Sequence, residues 1–192
     1  MDIALQIWGG CSYLVNKILF AIAEGKDQNV KRKFKLYGWV IYIFGVPAWV
    51  IILLSEKNWI AASIEAGGVP AMLLGLHTVY KMSASPSKIF DRVASFFTYG
   101  AIALGLSYSL LENSGITSYS QVLEIGVMIG FLLGSYLLAK NNRKGWLFFM
   151  VMNGSMAALM LIQLKPVLAV QQIVSLSFVV YGFRVSKKSE LL

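Results

Sequence analysis

A single histidine and a single cysteine in 192 residues close off much chemistry at once. Cys11 has no second thiol for an internal disulfide, and one histidine cannot anchor a metal cluster, so no metal and no cofactor is assigned. Carboxylates are few as well, nine Asp and Glu against 17 Lys and Arg. Glu65, Glu124 and His77 stand apart and make no acid, base and nucleophile set, so no catalytic residue is named and the chain is not read as an enzyme. There is no G-x4-G-K-[ST] phosphate loop and no polar segment able to house an ATPase domain. Residues 167–183 hold no lysine, which removes a retinal Schiff base in the last span. Polar length is the greatest scarcity. Charged residues make up 14% and hydrophobic ones 57%, with mean hydropathy +0.67, more apolar surface than a water-soluble fold of this size can hide.

What is there is a succession of apolar runs. A bilayer core is crossed by about 20 apolar residues of helix, and the runs read as spans 3–23, 36–54, 59–80, 93–111, 119–139, 145–164 and 166–183. Four of them (36–54, 93–111, 145–164 and 166–183) carry no charge. The expected fold is therefore an all-α integral membrane bundle of seven transmembrane helices, with membrane lipids as its surroundings. Ala21-Ile22-Ala23 before Glu24 resembles a signal-peptide cleavage site, but the segment opens Met1-Asp2 without a basic start and contains Lys17, so the first span is kept.

Charge gives an orientation. Lys26, Lys31, Arg32, Lys33 and Lys35 follow span 1, and Lys81, Lys88 and Arg92 follow span 3. Lys140, Arg143 and Lys144 follow span 5, and Arg184, Lys187 and Lys188 follow span 7. Only Lys57 and Lys165 fall on the other side, with Lys17 inside a span and expected to snorkel to the inner headgroups. The positive-inside rule then places the N-terminus outside and the C-terminus in the cytoplasm of a multi-pass inner-membrane protein. The net charge of +8 is topological signal and lipid contact, so nucleic acid is not expected as a partner.

Spans 2 and 6 open alike, Tyr37-Gly38-Trp39-Val40-Ile41 beside Lys144-Gly145-Trp146-Leu147-Phe148. Each runs to a lysine at a short turn, Lys57 and Lys165, with Ala61 and Ala169 four residues on. Pro47 and Gly154 stand eight residues after the two tryptophans. Two three-span units run parallel only if one inverting helix joins them, the 3+1+3 plan of a parallel-repeat carrier with its substrate near midplane. The first unit is 1–81, the linker with span 4 is 82–118, and the second unit with a short tail is 119–192. Ser83, Ser85, Pro86 and Ser87 mark the first linker, and Glu112-Asn113-Ser114-Gly115 the second.

From Trp146 to Gly182 the chain resembles the nicotinamide riboside transporter family (PnuC), whose relatives include the SWEET sugar carriers. The resemblance is carried by Trp146, Asn153 seven residues on, the turn at Lys165-Pro166, Ala169 and the closing Tyr181-Gly182. Where the family has an aromatic-rich turn and a tyrosine, this chain has Pro166 and Gln172. The resemblance implies facilitated uptake of a small polar vitamin, nicotinamide riboside, by alternating access, with a cytoplasmic kinase trapping the solute. Another SWEET-like sugar or metabolite carrier, or a non-transporting accessory protein, remains the alternative, and a homo-oligomer stays open.

Polar residues inside spans need a reason. Asn153, near midplane, is read either as a ligand contact or as an interhelical hydrogen bond. Gln171 and Gln172 point about 100° apart, so at most one faces a cavity while the other packs at a helix contact. Trp39 and Trp146 either stack on a planar ligand or anchor the headgroup belt. Glu65 either attracts a pyridinium or carries a proton, or else pairs with Lys57 or faces a wet vestibule. These six residues are the candidate substrate site. Glu124 and His77 read as interfacial. Gly126, Gly130 and Gly134 form a stripe for close packing within the second unit or between subunits. Gly45, Pro47, Gly67, Gly68 and Pro70 loosen spans 2 and 3.

Overall fold

The computed structural model describes residues 3–82 and 86–189, and among them every regular element is an α-helix. The segments are α1 (Ile3–Glu24), α2 (Gln28–Ser55), α3 (Trp59–Gly67), α4 (Val69–Tyr80), α5 (Lys88–Glu112), α6 (Tyr119–Ala139), α7 (Lys144–Ile162) and α8 (Pro166–Ser189). Six stretches are long and apolar enough to cross a membrane: Gln28–Ser55, Trp59–Tyr80, Lys88–Glu112, Tyr119–Ala139, Lys144–Ile162 and Pro166–Lys188. The protein is thus an all-helical, multi-pass membrane protein by length and composition. α1 is 22 residues long but stands outside that group, because Gln6, Asn16 and Lys17 interrupt its apolar run.

The helix ends follow from local chemistry. Asn58 Oδ1 accepts from Ala61 N at the start of α3, and Ser118 Oγ accepts from Gln121 N at the start of α6, so a side chain satisfies an otherwise orphaned donor at each end. Gly67-Gly68 divides span 3, with Pro70 in the first turn of α4 where its missing N–H costs nothing. The expected loop 24–35 is instead a tight turn followed by two helical turns. Lys31, Arg32, Lys33 and Lys35 lie on α2 itself, where their long stems favour helix. Ser83 and Ser85 fall outside the described residues; Pro86 and Ser87 lead directly into α5.

Two turns match closely. α2 closes on Lys57 at φ 59° and α7 on Leu164 at φ 57°, equally far after Trp39 and Trp146. Asn58 N bonds Leu53 O, and Lys165 N bonds Met160 O, the six-residue closure that satisfies the last carbonyls of a helix. In this register Lys57 corresponds to Leu164, so Ala62, not Ala61, matches Ala169. Both alanines are buried, and their amides bond back to Asn58 O and Lys165 O.

The helices close into a ring in the order α1, α2, α4, α6, α7, α8 and back to α1, while α5 packs outside it on α3, α4 and α6. α5 meets the bundle through Ala94, Thr98 and Gly105 and turns Ile89, Phe96, Leu104 and Leu111 outward. Small residues inside and large apolar ones outside suit a helix whose free face meets lipid. Gly126, Gly130 and Gly134 all face α7, where added Cβ atoms would meet Ser155, the Phe148–Met152 backbone and Phe149. That stripe is spent on packing α6 against α7.

Candidate functional site: a buried lysine below a basic cavity

Two tryptophans organise the interior. Trp39 on α2 lies against Gly75 of α4, where no side chain would fit beneath the indole. Trp146 on α7 lies against Gly182 of α8, where a Cβ would come within 2.6 Å of the ring. The glycine stands the same number of residues after the tryptophan in both pairs. Gly38 lets α2 approach Phe20 of α1, and Gly145 lets α7 approach Leu138 and Gly134 of α6. Both indoles are almost wholly buried, 2% and 1% exposed, so neither anchors a headgroup belt as the sequence allowed. Trp146 Nε1 has no hydrogen-bond partner.

Above the tryptophans opens a cavity of about 580 Å³. Its wall brings together residues following α1 (Lys26, Lys31, Arg32, Lys35), the end of α4 (Thr78, Val79, Met82), the α6–α7 turn (Asn141, Asn142, Arg143) and Ser186 of α8. The four basic segments of the sequence therefore share one end of the bundle. Among the described residues Glu24 is the sole carboxylate in that lining, paired to Lys31 at 2.6 Å and Lys35 at 3.0 Å. Burial pushes the Glu24 carboxyl up, but Lys35 and Lys31 outweigh it and hold it below its ordinary value. Arg32 reaches across to α4 and donates to Tyr80 O at 2.8 Å and Val79 O at 3.3 Å, where the helix end is negative. Outside this wall, Lys140 bonds Asp91 at 2.9 Å, which raises the lysine pKa. A second gap of about 10 Å³, lined by Phe20, Glu24, Lys35, Trp39, Leu138 and Trp146, shares Glu24, Lys35, Leu138 and Trp146 with the cavity wall. Below it Tyr42, Leu132 and Phe149 are fully buried.

At that depth lies Lys17, 1% exposed. It does not snorkel. Its Nζ donates to Asn16 Oδ1 at 3.1 Å and sits 3.7 Å from the centre of the Phe149 ring and 4.2 Å from that of Tyr42. Asn16 Nδ2 in turn donates to Gly38 O at 3.1 Å, which fixes the amide between α1 and α2. Tyr42 and Ser135 join α2 to α6 through hydroxyls 3.2 Å apart. Aromatic faces return about 2 kcal/mol to a desolvated cation, whereas taking an ion out of water costs several kcal/mol. The lysine is undercompensated, since no described residue gives it a carboxylate. The sequence signal was available: Lys17 is the only cation within an apolar run, directly after Asn16.

The remaining candidates separate. Asn153 is fully buried and donates to Phe149 O one turn back on its own helix, while among the described residues its Oδ1 has no partner and no hydrogen bond from it crosses to another helix. Gln171 makes the helix contact, donating to Gly10 O of α1 at 2.9 Å, and Gln172 beside it is partly buried. Glu65 accepts from the Tyr13 hydroxyl, not from Lys57, near the end opposite the cavity. Tyr13 also faces Lys17, whose Nζ lies 5.9 Å from its ring centre. Glu124 is exposed, and His77 stacks on Phe90 with ring centres 4.7 Å apart. Trp39, Trp146 and Asn153 thus line or underlie one interior, whereas Gln171 and Glu65 belong to its far end. The chain matches no protein-family model, no curated protein and no solved structure.

Proposed function

We propose that this protein is a carrier of small polar solutes, multi-pass in a cell membrane, working by alternating access. The observation that carries the reading is the one-sided cavity. It penetrates from the basic end toward Trp39 and Trp146, and the polar side chains of Asn16, Lys17, Ser135 and Asn153 are buried in the interior. A carrier caught open to one side has this form. α1 then serves as a seventh span despite its low hydropathy, because its polar residues face the interior.

Alternating access needs two units that can rock. The 3+1+3 reading pairs α1, α2 and α3–α4 with α6, α7 and α8, leaving α5 as the inverting helix outside the ring. It is supported by the matched Trp39–Gly75 and Trp146–Gly182 packing, by the matched turns at Lys57 and Leu164, and by the ring order. The contact of α4 with α6 has its counterpart in that of α8 with α1. The positive-inside rule makes the cavity cytoplasmic and the N-terminus external.

Nicotinamide riboside, the solute implied by the resemblance, is the first to test. Uptake of the labelled compound into liposomes containing the purified protein is measured with ribose, nucleosides and simple sugars as competitors. Saturable flux, reduced by Asn153→Ala at matched incorporation, supports the reading. Flux of none of these solutes removes them as cargo, and flux of no solute at all, organic anions included, favours the second reading, a non-transporting accessory protein, to which the packed centre around Phe149 and Tyr42 lends its own support.

A further inference from the structure

The charge of the interior bears on the solute. Among the described residues Lys17 is held by an amide oxygen and aromatic faces alone, at the centre of a ring of helices. Glu65 is taken by the Tyr13 hydroxyl, and Glu24 by Lys31 and Lys35. The cavity that leads toward the interior is lined by Lys31, Lys35, Arg32 and Arg143, with Glu24 already neutralised. Below that opening, Trp146 turns an unpartnered indole N–H within the wall. A basic mouth concentrates anions, and a buried lysine without a carboxylate is completed by an anion that enters together with a proton. The two features lie on one path and have the same sign.

We propose that the carried solute bears a carboxylate or phosphate group, and that the docking point of that group is the Lys17 ammonium, reached once Trp39 and Trp146 part. The inference rests on the carrier reading and narrows it. A pyridinium such as nicotinamide riboside would meet repulsion at the mouth and find no counter-charge at Lys17. Lys17 is then the residue that sets the charge class of the solute, with Asn16 positioning it through Gly38 O.

The test uses the full chain purified in detergent. Its melting temperature is followed against acetate, benzoate, citrate, inorganic phosphate and glycerol phosphate, with sodium chloride at equal ionic strength as reference. At least one oxyanion is expected to raise the melting temperature saturably, with an apparent affinity about tenfold or more weaker in Lys17→Gln, the loss of a charge-assisted hydrogen bond. No saturable rise in the wild type, or an equal rise in Lys17→Gln, overturns the proposal. Should Lys17→Gln fail to fold, Lys17→Arg carries the test: its longer planar head must change the affinity several-fold, and an unchanged affinity overturns it equally. A lipid arm separates the two sources of phosphate. A rise with phosphatidylglycerol but not with soluble anions, insensitive to Lys17, assigns the basic mouth to a headgroup and removes Lys17 from the site. Failure of the carrier reading looks different: Lys17-dependent anion binding with no flux into liposomes.

Discussion

Lys17 and Phe149, on the first and seventh helical segments, meet with the ammonium 3.7 Å from the ring centre. An element of marginal hydropathy is thereby drawn to the middle of the bundle, and its polar face becomes the interior of the molecule. Several measurable consequences come from this packing and from the tryptophans above it.

Gly75→Ala and Gly182→Ala should each destabilise the protein by about 1–3 kcal/mol, because a methyl group would be driven into a buried indole. Gly154→Ala is the control, since nothing lies within 4 Å of an added Cβ there. It should gain about 0.5–1 kcal/mol from helix propensity. Thermal unfolding in detergent distinguishes the three, and equal behaviour of all three would contradict the proposed packing.

Leu164→Gly should raise stability by about 0.5–1 kcal/mol, relieving a left-handed residue at the end of α7. The side chain is 88% exposed, so little packing is lost. A lower melting temperature would mean that the turn is held by contacts of Leu164 itself.

Glu24 provides a pH signature. Its folded pKa lies below the ordinary carboxylate value, so its contribution is present above the unfolded pKa of about 4.3 and is lost as pH falls through the depressed folded value. Wild-type stability should therefore drop below about pH 4 more steeply than that of Glu24→Gln. At pH 7 the variant should be the weaker protein, having left Lys31 and Lys35 unpaired. Parallel curves for the two would remove the ion pairs from the account.

Orientation is checked with a membrane-impermeant thiol reagent on intact cells in a Cys11→Ser background. Lys165→Cys should label and Lys33→Cys should not, both side chains being exposed. The reverse pattern would turn the basic cavity to the outside.

The sequence makes helix positions legible because apolar length is a local property. Tyr119–Ala139 falls on its expected span, while α2 outruns its own because lysines and arginines propagate helix as well as apolar residues do. Depth was harder. A lysine in an apolar run reaches headgroups or stays inside according to which face of α1 it occupies, and that face is set by Gly38 and Phe149, distant in the chain. The tryptophans keep two readings open in the sequence for a similar reason. Their burial depends on Gly75 and Gly182, whose meaning appears only once the opposing indole is in place. Gln171 is marked by polarity, and Asn153 by polarity and the resemblance, and neither signal tells an own-helix bond to Phe149 from a seam bond to Gly10.

Cys11 is exposed and follows Gly10, whose carbonyl holds Gln171. A fluorophore or spin label on this one natural thiol would therefore report on the line where the first and last helices meet, in the otherwise unaltered polypeptide. Any separation of those helices during a working cycle would register there first.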